Sequence, residues 1–225
     1  QNPHGKTTGA WLADLEHEPC YAGIDLASKL DLCCCALVFP PSPGRGWRVI
    51  QHIWTPADTL LARAHRGRAP YGIWRDQGWL EETPGTQIDH QLIRGVLTHA
   101  RETYDLLYVG FDPWHADTLI SQLINEDGFP ETQVLAVPQT YAGMSSACLK
   151  MQAEIVGGHV DARGCPVTAW AVSNCVDQRD GKDNMMFVKK KSRGRIDPVI
   201  AATIGMALAL RMPVEAAASF ELLAI

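Results

Sequence analysis

The sequence predicts an α/β fold: a central mixed sheet, with an antiparallel three-stranded start and then parallel strands, flanked by helices. β-rich runs at residues 21–26, 32–39 and 47–54 are separated only by short polar or Pro/Gly connections, including Ser28-Lys29 and Pro40-Pro41-Ser42-Pro43-Gly44. Links this short imply an antiparallel meander. Further on, Ile88, Leu92, Ile93, Val96 and Leu97 recur at helical spacing before a strand-like run at 106–111. A helix after Pro113 and a short strand at 134–137 follow. Strands that alternate with helices need crossover connections, so the later strands are expected to add in parallel.

The elements follow in order. Residues 1–19, with Gln at position 1 and a Gly/Pro/His character, are expected to be a linker or the remnant of an upstream region. One domain is expected over 20–212, with a C-terminal tail over 213–225. Thr55-Pro56 offers an N-cap and a first-turn proline for a helix to about Arg66. A Gly- and Trp-rich loop is expected over 67–85, and a helix over 144–156 that Gly157-Gly158 ends. Asp180-Gly181 between β-capable flanks suggests a hairpin within 175–188, and 198–210 forms a last apolar helix.

Composition bounds the function. With 225 residues, 46% apolar and 20% charged, the chain can bury one sizeable core. The seven cysteines show no paired zinc spacing. Consecutive strand residues point to opposite faces, so Cys33, Cys34 and Cys35 cannot converge on one ion and read as small buried packing. An odd cysteine count without a signal peptide points to a reducing cytosol and a protein that is not secreted. No apolar stretch approaches the roughly 20 residues that cross a bilayer, so no membrane partner is expected. The net charge of −5 disfavours nucleic-acid binding by overall charge. Distribution matters more: Lys189, Lys190, Lys191, Arg193 and Arg195 lie within seven residues, immediately before Asp197. They form either a phosphate track or a solvated face.

Three aspartates carry the chemistry. Asp25 closes the apolar run Tyr21-Ala22-Gly23-Ile24, Asp112 closes the run at 106–111, and Asp197 opens the last apolar helix. A carboxylate against buried backbone needs compensation, and a divalent cation is the strongest available. Hard oxygen donors favour Mg²⁺ or Mn²⁺. If the first strand lies beside the one ending at Phe111, Asp25 and Asp112 share a sheet edge and Asp197 faces them from above. Two ions roughly 4 Å apart would neutralise the three acids and support in-line phosphodiester cleavage. The competing reading makes each acid an ordinary cap at a strand or helix end. His115, three residues past Asp112, is a weaker candidate for orienting a water, and Trp47, Trp54, Trp74, Trp79, Trp114 and Trp170 read as packing residues.

Specific motifs then resemble a known family. Gly23-Ile24-Asp25-Leu26-Ala27 with Asp31, Val109-Gly110-Phe111-Asp112-Pro113-Trp114, and Gln139 through Gly143-Met144-Ser145 resemble the nuclease domain of tailed-phage terminase large subunits. So do Val167-Thr168-Ala169-Trp170, Ser173-Asn174-Cys175, Lys190-Lys191-Ser192 and Arg195-Ile196-Asp197-Pro198-Val199. The resemblance implies an RNase H-like fold and metal-dependent endonucleolytic cutting of concatemeric viral DNA during genome packaging in the cytoplasm of an infected bacterium. It assigns Asp25, Asp112 and Asp197 as metal ligands for two Mg²⁺ or Mn²⁺ ions, and Asp31 as an accessory acid. Lys189, Lys190, Lys191, Arg193 and Arg195 become the contacts to double-stranded DNA. The implied partners are an upstream packaging ATPase domain, a portal and a small terminase subunit. The sequence shows no credible Walker element, so this chain is expected to cut without translocating, and Cys33 to Cys35 replace β-branched or Thr-rich residues.

Other readings remain open at this stage. A Holliday-junction resolvase or a transposase-like enzyme would share the acids, and an inactive docking module of the packaging machine could retain them. A sugar-kinase or actin-like phosphate loop would need glycines just after the first acid, and residues 26–30 contain none.

Overall fold

The computed structural model describes residues 9–26, 32–58, 69–114 and 116–214. Its sheet holds β1 (Pro19–Asp25), β2 (Cys33–Phe39), β3 (Trp47–Pro56), β4 (Glu81–Thr83), β5 (Asp105–Phe111), β6 (Val134–Ala136) and β7 (Val160–Asp161). The order is β4-β3-β2-β1-β5-β6, and β7 pairs with the beginning of β3. The pairs β1–β2 and β2–β3 are antiparallel, while β1–β5, β5–β6, β3–β4 and β3–β7 are parallel. This is the expected mixed sheet, with β1 at its centre.

Helices cover both faces, which is why β2 is buried along its whole length. On one side lie α3 (His90–Thr103) and α4 (Asp117–Asn125), through Ile93, Leu97, Leu119 and Leu123. On the other lie α2 (Tyr71–Asp76), α5 (Tyr141–Val156), α6 (Pro166–Asn174) and α7 (Asp197–Arg211). The cysteine triplet follows the pleat: Cys33 and Cys35 join the first core and Cys34 the second, all fully buried.

Several boundaries differ from the sequence reading. A short helix α1 (Gly9–Ala13) and the residues after it are packed against the domain, with Trp11 and Leu15 buried and the Trp11 indole donating to Asp161 at 2.9 Å. A linker would bury neither side chain. Thr55 and Pro56 close β3, pairing with Glu82 and Thr83 of β4, and helical residues begin directly after them at Ala57 and Asp58; the rest of the expected helix lies outside the described residues. The 67–85 loop contains α2 and β4, anchored by buried Tyr71, Trp74, Trp79 and Leu80. Helix α5 starts earlier than its apolar pattern suggests, since the Thr140 hydroxyl accepts from the Gly143 N–H and caps it. Strands β8 (Asp177–Arg179) and β9 (Met185–Phe187) form the expected hairpin. Its turn is longer than Asp180-Gly181 alone, because the Asp180 carboxylate accepts from the backbone N–H groups of both Lys182 and Asn184.

On the α3–α4 face, Arg94 makes a two-pronged ion pair with Asp127, both contacts at 2.6 Å. The Arg94 hydrogen bonds hold the Asp127 carboxyl below its usual range, against a smaller opposing effect of burial. A depressed native pKa stabilises the fold above the ordinary carboxylate range, and this contribution is lost as pH falls through that range and below. Asp127→Asn is expected to lower the melting temperature at pH 7 by roughly 2–6 °C. Melts from pH 7 to pH 3 should show the gap to wild type closing on the acid side.

Candidate metal centre

Helix α7 positions the site. Tyr21, Gly23 and Asp25 alternate onto the sheet face beneath it. A Cβ at Gly23 would stand 2.0 Å from the Ala201 carbonyl oxygen and 2.5 Å from the Gly205 nitrogen, so the helix rests directly on the β1 backbone. Gly205 returns the contact, approaching the Tyr21 carbonyl and Val38. The Tyr21 hydroxyl donates to the Met212 carbonyl at 2.5 Å, and the Gln51 side-chain amide donates to the Pro198 carbonyl at 2.8 Å. The helix therefore runs antiparallel to β1, with its N-terminus over the end that carries Asp25.

The acids meet there. The parallel register pairs Ile24 with Phe111, so the next residues, Asp25 and Asp112, leave adjacent strands side by side. Asp197 is the first residue of α7, where the helix dipole favours negative charge, and Pro198 follows it. Asp25 and Asp197 are 2% and 1% exposed; Asp112 is half-buried and accepts from the Trp114 backbone N–H at 3.2 Å.

A lysine joins the carboxylates. The Lys189 ammonium stands 2.8 and 2.6 Å from the two oxygens of Asp25 and 2.9 Å from Asp197 Oδ1. The loop after β9 aims it: Ser192 Oγ accepts from the Val176 N–H and donates to the Val188 carbonyl, while Ser145 Oγ accepts from the Met185 N–H. Gln139 approaches from the start of α5, its amide 3.4 Å from Asp25 Oδ1.

Burial pushes the Asp25 carboxyl up to about 7; Lys189 pulls against this, while Asp197 and Asp112 add to it. For the Lys189 ammonium burial works downward, but Asp25 and Asp197 outweigh it and hold the pKa above the ordinary lysine value. One ammonium thus pairs with two of the three carboxylates, and the buried Asp25 Oδ2 and Asp197 Oδ2 have no hydrogen-bond partner. Acidic surplus, orphaned oxygens and an all-oxygen donor set suit a hard divalent cation. Among the described residues no three His, Cys, Asp or Glu side chains stand together in metal-ligating geometry, and the Lys189 ammonium stands between Asp25 and Asp197.

The fold has counterparts among known proteins. The family model described as "Terminase large subunit, endonuclease domain" matches residues 12–212. The chain belongs to this family. It is 30% identical over 207 residues to the terminase large subunit of Enterobacteria phage HK97, covering 89% of this chain and 39% of that protein. The domain thus spans well under half of that relative's length. The crystal structure of the HK97 large terminase superposes with a TM-score of 0.77 at 27% identity, over 88% of this chain and 42% of that one. The large terminase nuclease of thermophilic phage G20c, solved with bound magnesium, shares the fold with a TM-score of 0.51 at 11% identity, over 85% of this chain and 84% of that one.

Within this terminase nuclease domain the sequence-derived site residues divide into groups. Asp25, Asp112 and Asp197 come together. Asp31 and His115 lie outside the described residues. Lys190, Lys191, Arg193 and Arg195 are exposed on the loop before α7, whereas Lys189, expected to touch DNA, turns its ammonium inward to the acids. Trp114, expected as packing, is 73% exposed next to Asp112. The role of Gln139 had no signal beyond its place in the family pattern, because only the fold brings α5 to the end of β1.

Proposed function

We propose that this domain is a divalent-metal-dependent DNA endonuclease that cuts concatemeric viral DNA during genome packaging, in the cytoplasm of an infected bacterium. The observation that carries this reading is the meeting of Asp25, Asp112 and Asp197 at one sheet edge, more acid than Lys189 neutralises. Asp25, Asp112 and Asp197 would hold the metal, with Asp31 as an accessory acid. Two bound Mg²⁺ or Mn²⁺ ions would supply activation of a water and stabilisation of the leaving oxygen. The protein's own part is to fix the acids, through the α7–β1 contact, at the exposed end of the sheet. Lys190, Lys191, Arg193 and Arg195 hold the duplex by its phosphates, which gives little sequence preference. Double-stranded DNA is the substrate, and an upstream packaging ATPase domain, a portal and a small terminase subunit are the partners in packaging.

Purified protein is expected to nick supercoiled plasmid with Mn²⁺ or Mg²⁺ and to spare it with EDTA; plasmid left intact in every metal would overturn the reading. Neutralising Lys190, Lys191, Arg193 and Arg195 should slow cutting of all sequences alike. The salt slope of log affinity should flatten by roughly 0.9 for each basic side chain that no longer neutralises a phosphate.

A further inference from the structure

Lys189 does more than balance charge. Its ammonium stands 2.6–2.9 Å from both oxygens of Asp25 and from Asp197 Oδ1, yet Asp25 Oδ2 and Asp197 Oδ2 are left without a hydrogen-bond partner. A divalent ion ligated by Asp25 and Asp197 would lie roughly 2.0–2.1 Å from their oxygens, in the space between the carboxylates that the ammonium occupies. Two cations cannot share that volume. The Lys189 side chain is also 36% exposed, on a loop whose turn is held by Ser192, so its ammonium can swing out while the loop stays in place.

We infer that Lys189 is a resident counter-cation that a divalent ion displaces from Asp25 and Asp197. The inference rests on the metal-dependent reading above and adds an exchange to it. Without metal, the ammonium offsets part of the charge of two buried carboxylates and ties Asp197 at the start of α7 to Asp25 on β1. With metal, the displaced ammonium joins Lys190, Lys191, Arg193 and Arg195 on the surface. Metal affinity is scaled down to the fraction of molecules in which the lysine has left the site. By linkage, a polyanion that captures Lys189 outside the site strengthens metal binding by the same factor by which metal strengthens polyanion binding.

Mn²⁺ binding isotherms of wild type, Lys189→Met and Lys190→Met test this. If the lysine holds the site in about nine molecules of ten, Lys189→Met binds Mn²⁺ about tenfold more tightly. Lys190→Met, which removes a like charge from the same loop, stays near wild type. Without metal Lys189→Met should melt lower than wild type, since buried carboxylates lose their partner, and Mn²⁺ should restore it. In the wild type, a slowly exchanging lysine ammonium resonance seen by ¹⁵N NMR without metal should vanish as Mg²⁺ is added. This arm and Lys189→Gln carry the test if Lys189→Met does not fold. Wild-type or weaker Mn²⁺ affinity in Lys189→Met, or an ammonium resonance that survives saturating Mg²⁺, overturns the displacement and leaves the metal centre standing. No Mn²⁺ binding by either protein at millimolar concentration removes the metal centre itself.

Discussion

Asp112→Asn is expected to abolish DNA cutting while leaving the fold intact. The amide oxygen can still accept the bond from the Trp114 N–H, so the turn after β5 is preserved. What disappears is the charge. Outer-shell partners of metal sites cost about 10–100-fold when removed, and a direct ligand should exceed that, so cleavage should fall by more than about 100-fold. Asp112 is also one of the groups that push the Asp25 carboxyl up, so removing its charge eases repulsion among the acids. The metal-free melting temperature should hold or rise. Asp25→Asn would be harder to interpret, because it also breaks the Lys189 bridge. Time courses of plasmid nicking beside thermal melts decide the matter, and near wild-type nicking by a folded Asp112→Asn protein would remove this residue from the site.

Gly23→Ala is expected to have the largest effect on stability. The new methyl would meet backbone atoms of Ala201 and Gly205, and neither can rotate away as a side chain could. The helix would have to lift from the sheet, at a cost of about 3 kcal/mol or more. Asp197 would lift with it, so cutting should be abolished even in molecules that stay folded. Gly95→Ala is the matched control: it lies within α3 with no atom near a new Cβ, and should stabilise the protein by about 0.5–1 kcal/mol. Denaturant melts of the two variants should move in opposite directions.

Much of the fold and of the acid cluster was legible in the sequence, for physical reasons. Short links between β-rich runs leave the chain few alternatives to a meander, and helical spacing before residues 106–111 leaves few alternatives to a parallel crossover. The acids could be placed because a strand end in a known sheet order is a known location. Lys189 was not legible. Five basic residues within seven look alike in one dimension, and only the bonds of Ser192 and the docking of β9 on Ser145 determine which one turns inward. Trp11 shows the same limit, since linker-like composition around it hides the partner it finds across the fold, whereas Trp74 and Trp79 are buried as packing residues. Pro56 serves two elements: it pairs with β4 as the last residue of β3, and helical residues follow at Ala57 and Asp58.

The seating of α7 across β1 also bears on timing. Asp25 and Asp112 lie on strands synthesised well before α7, and the third acid comes on the last helix described. A chain emerging from the ribosome can pair β1 with β5 and bury most of one core while its acids still lack their third member. Only when the glycine contact between Gly23 and Gly205 closes does Asp197 reach the others. On the proposed reading, the capacity to cut DNA would emerge only once α7 packs, and a chain ending before α7 is expected to leave plasmid intact.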